Sequence, residues 1–348
     1  MTSLPAQPPP HARLMQMGTG HFLSRLVYAA AKLGIADHLA RGPQTADELA
    51  PATGCDAKTL RRFLRTLANF EILTLDPDGK FALAPLGDAL RSDAPGHARS
   101  AILTLGGPAC WNAWGELLYG VETGNCAFDK ANGQPLFDFL AENPDDARRF
   151  SETMLAVHSA EPAAVAAAYD DFSSSGVIVD VGGASGNMLA NVLSRHTAPR
   201  GVLFDLPQAT TEAKAMLNKH GAERRVTIEH GSFFDSVPGG GDIYILSHII
   251  HDWNDAKSRA ILLNCRKAMK PTSRLLLIEL VLRDTGAPGY GSSDMSMLVF
   301  VGGAERTADE YDALLASAGL EMTRVIPTTT SASIVEARPR RDANLAYR

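Results

Sequence analysis

The chain has 348 residues, of which 45% are hydrophobic and 21% are charged, as in ordinary globular proteins. This length predicts two or three domains with their own cores. A formal net charge of −6 argues against a nucleic-acid partner, and no apolar run is long enough to span a bilayer. The four scattered cysteines lack metal-ligand spacing, so we expect reduced thiols in a cytoplasm and no metal site.

The N-terminal sequence opens with a proline-rich segment, residues 1–11, which we interpret as a disordered tail without the form of a signal peptide. Apolar residues at helical intervals then predict one helix from residue 12 to about residue 40. Thr45 and Glu48 form a capping box, which opens a short helix through Ala50.

Two further elements complete this N-terminal region. A second helix carries apolar residues on one face, and residues 72–83 have the pattern of a β-hairpin. Helix, turn, helix and hairpin in this order are typical of a winged-helix domain, which we place at residues 12–97. Basic residues on the second helix would suit DNA, but the acidic chain favours a role in dimer contacts. These residues are Lys58, Arg61, Arg62 and Arg65.

The middle of the chain, residues 98–172, is predicted to be mostly helical and rich in aromatic residues. Phe150 and Met154 lie one helical turn apart there, a spacing that suits either a core or the wall of a pocket. An alanine-rich run over residues 161–169 predicts a helix that leads into the next domain.

Strands and helices alternate over residues 173–340, before a C-terminal tail at residues 341–348. This order predicts an α/β domain, in which helices cover both faces of a mostly parallel sheet. The predicted strands are 177–181, 201–205, 225–229, 242–247, 274–282, 321–326 and 332–337, and the predicted helices are 187–196, 208–220, 255–269 and 307–318.

The first strand of this domain runs directly into a glycine-rich turn and then into a helix. In that arrangement a nucleotide-like ligand sits over the helix N-terminus. The spacing is D-x-G-x-A-x-G rather than G-x-G-x-x-G, which points to S-adenosylmethionine instead of NAD. An ordinary strand-to-helix turn is the alternative. The residues concerned are Asp180, Gly182, Gly183 and Gly186.

Asp205 ends the second strand, about 20 residues after the glycine turn. An acid there can accept hydrogen bonds from both ribose hydroxyls of a nucleotide. The alternative is a helix N-cap for a helix beginning at Gln208, a role that aspartate also suits.

Three titratable residues suggest a catalytic centre. His251 and Asp252 follow the fourth strand, where the ligand crevice of an open α/β sheet lies. A histidine can take a proton at neutral pH, although a structural histidine is the commoner case. Glu279 lies in an apolar strand and needs a partner, and Glu305 precedes a helix. Two carboxylates flanking one imidazole would orient it and raise its basicity.

Six motifs in this order resemble the S-adenosylmethionine-dependent O-methyltransferases of the caffeic acid and acetylserotonin type and their bacterial secondary-metabolite relatives. The motifs are DVGGASG, FDLP, HGSFFDSVP, HIIHDWND, IELVL and GGAERT. The resemblance implies a Rossmann-like class I methyltransferase sheet with an N-terminal helical winged-helix dimerisation domain. It also implies a homodimer, in which residues near Met15 and Met17 wall the partner's substrate pocket.

The resemblance assigns roles to individual residues. His251 is the implied general base, bracketed by Glu279 and Glu305. The implied cofactor-binding residues are Asp180, Gly182, Gly183, Gly186, Asp205, Leu206, Ser232, Phe233 and Ser247. The implied substrate-binding residues are Asp252, Phe150, Met154, His158, Trp111, Met295 and Phe300.

Three positions depart from the family pattern. Ala184 stands where the family has the second glycine of the motif. The turn is expected to tolerate the alanine methyl group if φ of this residue stays negative. Ser232 stands where the family has an acid that accepts from the adenine amine, so adenine recognition is expected to be weaker. Ser247 stands where many members have lysine.

The sequence therefore predicts an enzyme that transfers a methyl group from S-adenosylmethionine to a hydroxyl of a small aromatic acceptor, without metal, nucleic acid or membrane. The product would be S-adenosylhomocysteine. Two alternatives stay open. One is an S-adenosylmethionine-binding homologue with hydroxylase or decarboxylase activity. The other is a winged-helix DNA-binding ligand sensor.

Overall fold

The computed structural model describes residues 8–283 and 291–340, and the chain divides into two compact units. The first unit joins Met1–Asn112 to Phe137–Ser159, and the second joins Ala113–Leu136 to Ala160–Arg348. Most of the proposed N-terminal tail, residues 1–7, and the whole C-terminal tail, residues 341–348, lie outside the described residues.

The prediction of one helix over residues 12–40 is wrong, because the structure has three helices there. They are α1 (Pro10–Gly18), α2 (Gly20–Lys32) and α3 (Ile35–Leu39). Thr19 leaves the helical conformation, and its hydroxyl donates to the carbonyl of Met15 at 2.8 Å. Gly34 interrupts the second junction with a left-handed φ of +65°. Apolar periodicity continues through both breaks, so it does not reveal them.

The winged-helix elements are confirmed. Thr45 and Glu48 form the predicted capping box at the start of α4 (Ala46–Thr53), which runs three residues beyond the expected end. Asp56 caps α5 (Ala57–Asn69), whose apolar face is buried. The hairpin pairs β1 (Leu73–Leu75) antiparallel with β2 (Phe81–Leu83). The buried core of these elements includes Leu49, Leu60, Leu64, Leu67 and Phe81.

The helical character of residues 98–172 is confirmed as well, after a short helix α6 (Pro85–Asp88). Within the first unit, α7 packs against α12, where the hydroxyl of Thr153 donates to that of Thr104 at 3.3 Å. The helices of the segment are α7 (Ala98–Leu105), α8 (Pro108–Gly115), α9 (Leu117–Thr123), α10 (Ala127–Asn132), α11 (Leu136–Glu142), α12 (Pro144–Val157) and α13 (Glu161–Ala168).

The second unit is built on the predicted, mostly parallel sheet. Its strand order is β5-β4-β3-β6-β7-β10-β9, with β8 paired to β7. The strands are β3 (Val177–Val181), β4 (Arg200–Asp205), β5 (Val226–His230), β6 (Ile243–Ser247), β7 (Arg274–Leu282), β8 (Arg306–Thr307), β9 (Leu320–Pro327) and β10 (Ala332–Pro339). The last two long strands join the sheet antiparallel, and the other pairings are parallel.

Helices cover both faces of this sheet, as predicted, over two separate buried clusters. Two assignments need correction. The helix expected from Gln208 begins only at Ala213, and α17 was not predicted. The helices are α14 (Asn187–Arg195), α15 (Ala213–Lys219), α16 (Asp255–Ala268), α17 (Gly291–Phe300) and α18 (Ala308–Ser317). In the described parts of the chain, every helix is too short or too polar to cross a membrane.

Candidate active site

His251 lies in the second unit, on a short 3-10 turn that follows β6, and its side chain is buried. Its Nδ1 lies 3.2 Å from Glu305 Oε1 and 3.4 Å from Glu279 Oε2. The three predicted catalytic residues are therefore brought together. The two acids do not flank the ring, however, because both lie against the same nitrogen. Since carboxylates only accept, Nδ1 carries the hydrogen and Nε2 is left to accept a proton.

The second nitrogen of the ring has an acid of its own. His251 Nε2 lies 3.5 Å from Asp252 Oδ1, a distance too long for a strong hydrogen bond. Asp252 is half-buried beside it. This carboxylate can hold a hydroxyl group near Nε2 without blocking the nitrogen.

Each of the two glutamates is held by further contacts. Glu279 Oε1 accepts from the backbone N–H of Ile250 at 2.9 Å, which ties β7 to the histidine turn. Glu305 Oε1 accepts from Ser293 Oγ at 3.0 Å, and the backbone N–H of Glu305 donates to Asp294 Oδ1 at 3.1 Å. Ser293 and Asp294 lie on α17, so sequence reasoning missed them together with that helix.

Arg306 joins the histidine turn to the glutamate turn. Its buried guanidinium donates to the carbonyl oxygens of Ile250, Trp253 and Ala304 at 2.9 to 3.2 Å, and to the carboxylate of Asp255. An arginine directly after Glu305 was visible in the sequence, but all of its partners except Ala304 are more than 50 residues away along the chain. The two turns are therefore joined into one support for the ring of His251.

The electrostatics of the trio favour a positive charge on His251. Burial by itself lowers the pKa of the ring, but the carboxylates of Glu279, Glu305 and Asp252 outweigh it and raise the pKa to about 10. Burial also raises the pKa of Glu279 to about 7, against the opposing effect of the nearby histidine. The site thus holds a proton strongly, between a basic ring and a carboxyl group that titrates near neutrality.

The glycine turn after β3 is tight for two reasons. Gly182 and Gly186 both have φ of +73°, where a side chain is strained. Gly183 has no space for a Cβ, which would lie 2.4 Å from Leu203 Cδ1 and 2.6 Å from the carboxylate of Asp180. Asp180 is fully buried, and that burial raises its pKa to about 7.

Ala184 does not keep a negative φ, contrary to the expectation from the sequence. Its φ is +44°, in the left-handed region, and its backbone N–H donates to Asp205 Oδ2 at 2.9 Å. A left-handed residue other than glycine costs roughly 1–2 kcal/mol. The hydrogen bond to Asp205 helps to hold the alanine in this conformation.

Asp205 does not cap a helix, because the next helix begins eight residues later. Its Oδ1 accepts from the backbone N–H of Leu206 at 2.7 Å, and its Oδ2 accepts from Ala184. Burial raises the pKa of this carboxyl group, while the two N–H donors oppose the shift. A carboxylate has about four lone-pair sites, so two remain for the hydroxyls of a ribose. The residue therefore suits the cofactor that the turn implies.

The other expected cofactor residues lie at the same end of the sheet. Ser232 follows β5, and its Oγ accepts from the backbone N–H of Phe234 at 3.2 Å. The ring of Phe233 approaches the α-carbon of Gly182 closely enough that a Cβ there would lie 3.4 Å away. Ser247 ends β6, opposite Ile278 of β7.

The expected substrate residues are divided between the units. Met295 and Phe300 lie on α17 in the second unit, where Trp114 packs edge-on against Phe300 at 6.1 Å between ring centroids. The first unit holds α12 and its end, with Phe150, Met154 and His158, and also Trp111, whose ring lies under the guanidinium of Arg25. Met15 and Met17 are exposed on α1. Contact of all these residues with an acceptor stays a prediction.

The strained turn gives a prediction with opposite signs at adjacent positions. Ala184→Gly removes about 1–2 kcal/mol of left-handed strain and costs about 0.5–1 kcal/mol of glycine entropy, so the free energy of unfolding should rise by up to about 1.5 kcal/mol. Gly183→Ala should cost about 2 kcal/mol or more, because its Cβ has no space. Denaturant unfolding of both variants measures this. Equal losses would mean that the turn is not packed as described.

Two models of protein families match this chain. The model of the O-methyltransferase domain matches residues 114–321, and that of the O-methyltransferase dimerisation domain matches residues 15–93. The phenazine O-methyltransferase of Lysobacter antibioticus is 41% identical over 94% of this chain and 95% of its own. The mitomycin biosynthesis 6-O-methyltransferase of Streptomyces lavendulae is 38% identical over 88% of each.

Solved structures agree with this match. The mitomycin 7-O-methyltransferase has a TM-score of 0.89 at 36% identity, covering 94% of this chain and 97% of that one. An O-methyltransferase of neocarzinostatin biosynthesis, solved with S-adenosylmethionine and 2-hydroxy-5-methyl naphthoic acid, has a TM-score of 0.81 at 33% identity, covering 91% and 96%. The chain therefore belongs to the S-adenosylmethionine-dependent O-methyltransferases of bacterial secondary metabolism, with the dimerisation domain of that family at its N-terminus.

Proposed function

We propose that the protein methylates a phenolic hydroxyl of a small aromatic secondary metabolite, with His251 as the general base. The observation that carries the proposal is the pair of buried carboxylates on Nδ1, which leaves Nε2 as the proton acceptor. Relatives named for phenazine, naphthoate and hydroxybenzoate acceptors support an aromatic compound. Other relatives are named as N-methyltransferases. Methylation of a phenolic oxygen rather than a nitrogen is therefore part of what we propose.

The chain supplies position and proton transfer, whereas S-adenosylmethionine, when bound, supplies an electrophilic methyl group. Asp205 would hold its ribose, and the turn from Gly182 to Gly186 lets backbone pass close to it. Ser232 would contact the adenine. Holding the acceptor oxygen in line with the methyl group in a water-excluded site is worth much of the rate.

His251 suits a phenol because the two groups have similar proton affinities. A free phenol has a pKa near 10, so very little phenolate exists at neutral pH. The acids around His251 raise its pKa to about 10 as well. Because the two pKa values are similar, transfer of the phenolic proton to Nε2 involves little change in free energy. Glu279 and Glu305 then stabilise the imidazolium that forms. The ring must first lose its resting proton, so the reaction should be faster in alkaline solution.

Loss of the base should abolish most turnover. We expect His251→Ala to reduce kcat by a factor on the order of 10² to 10⁴, because general-base catalysis typically contributes that much. The affinity for S-adenosylmethionine should stay nearly unchanged in calorimetry, since the ring lies outside the glycine turn. The assay follows transfer of a labelled methyl group to a panel of phenols. Unaltered turnover in the variant would remove the base assignment.

The pH profile tests the two acids. The kcat/KM of the wild type should rise from pH 7 towards 10, because only a neutral ring accepts the proton. Glu305→Gln removes a negative charge that raises the pKa of His251, so the rising limb should move to lower pH and the plateau should fall. Glu310→Gln is the matched control, because glutamine also completes the capping box at Thr307. An unmoved limb in Glu305→Gln would contradict the coupling.

Adenine recognition by Ser232 is a separate proposal. Ser232→Asp should lower the Kd for S-adenosylmethionine severalfold, because a carboxylate accepts from the adenine amine more strongly than a hydroxyl does. The new side chain can still accept from the N–H of Phe234. Ser236→Asp adds the same charge four residues further on and should leave the Kd unchanged. If both variants bind the cofactor like the wild type, Ser232 does not recognise adenine.

A further inference from the structure

A second histidine–carboxylate pair lies beside the first. His248 directly follows β6, and its backbone N–H donates to the carbonyl oxygen of Ile278 at 3.0 Å. Its φ is +54°, a left-handed value that is uncommon outside glycine. Strain of this kind persists where surrounding contacts impose it, and it concentrates at functional sites. The comparisons and the catalytic trio give this residue no role.

Glu161 holds the ring of His248. It lies in the first turn of α13, and its Oε2 accepts from His248 Nε2 at 2.5 Å. The side chains are mostly buried, with 16% of His248 and 8% of Glu161 exposed. Burying a carboxylate is costly without a partner, and His248 offsets that cost for Glu161. Glu161 in turn fixes the orientation of the His248 ring.

The ring of His248 is next to the catalytic ring. Their centroids are 5.2 Å apart and the planes are inclined at 43°. One nitrogen of each ring and a carboxylate oxygen of Glu279 lie within 4.8 Å of one another. Two imidazoles and a carboxylate could also hold a metal ion, but the acids on Nδ1 of His251 favour a protonated ring over a metal ligand.

Two imidazole rings with centroids 5.2 Å apart match a particular pair of oxygens. Oxygens on adjacent carbons of an aromatic ring are about 2.7 Å apart, and each hydrogen bond adds about 2.8 Å. An acceptor that places one oxygen at His251 can therefore place the neighbouring oxygen at His248. A site built to hydrogen-bond a polar group of the acceptor discriminates strongly against analogues that lack that group.

We propose that His248, held by Glu161, is a specificity-determining residue that binds a second oxygen of the acceptor, on the ring carbon next to the methylated hydroxyl. The ligand class is an aromatic compound with oxygens on adjacent carbons. Glu161 acts through His248 and is a positioning residue. The inference rests on the proposed function, since it takes the acceptor to lie at His251.

The test compares two acceptors that differ by one hydroxyl. The Kd values of 2,3-dihydroxynaphthalene and 2-naphthol are measured by calorimetry on the full-length protein saturated with S-adenosylhomocysteine, with EDTA present to exclude metal ions. The wild type should bind the dihydroxy compound at least about tenfold more tightly. His248→Phe should weaken the dihydroxy compound to the level of 2-naphthol, without changing the Kd of 2-naphthol.

A second variant covers the case in which His248→Phe fails to fold because Glu161 has lost its contact with His248. Glu161→Gln keeps the shape and a hydrogen-bond acceptor, and it should reduce the preference severalfold. His196→Phe is the matched control. That ring is also partly buried and bonded to a neighbouring group, the carbonyl oxygen of Ala166, and its loss should leave the preference intact.

Several outcomes would overturn the inference: equal binding of both compounds by the wild type, binding of neither, or equal weakening of both by Glu161→Gln. A labelled-methyl assay on the same compounds separates this result from the proposed function. A wild type that shows the preference but transfers no methyl group would contradict the proposed methylation and keep His248 as a binding residue. Methyl transfer without a preference for the dihydroxy compound would keep the proposed methylation and reject His248 as a binding residue.

Discussion

The structure around the candidate site depends on one constraint: a buried imidazole is kept basic by acids that cannot themselves reach water. Burial opposes charge on His251, and only the nearby carboxylates reverse that effect. Glu279 comes from the middle of β7 and Glu305 from the turn before β8, so neither can move without disturbing the sheet. The basicity of the His251 ring and the packing of the domain thus depend on the same residues.

That shared dependence accounts for the role of Arg306. Arginine suits this place because its guanidinium offers five donors in a fixed plane and never loses its charge. Its three carbonyl partners all belong to the turns that carry His251 and Glu305. These bonds hold the two turns together and so support the approach of Glu279 and Glu305 to the ring.

Much of the fold could be predicted from the sequence, and the failures have physical causes. The strands of the sheet and the hairpin were recognisable because burial on both faces, or on one, leaves a clear pattern. The break at Thr19 and the late start of α15 depend on local hydrogen bonds that do not disturb that pattern. The helix α17 mixes polar and apolar residues without a clear face. The features missed were therefore helix limits that local hydrogen bonds set and a helix without an apolar face.

The candidate site was predictable as a set of residues but not as an arrangement. A lone carboxylate in an apolar strand needs a partner, which correctly pointed from Glu279 to His251. Which ring nitrogen the acids would contact, and the sign of φ at Ala184, depend on groups distant in sequence. Gly303 has a wider consequence: a Cβ there would lie 2.0 Å from the carbonyl oxygen of His251. A larger residue at position 303 would therefore push the turn that carries His251 away from the turn that carries Glu305.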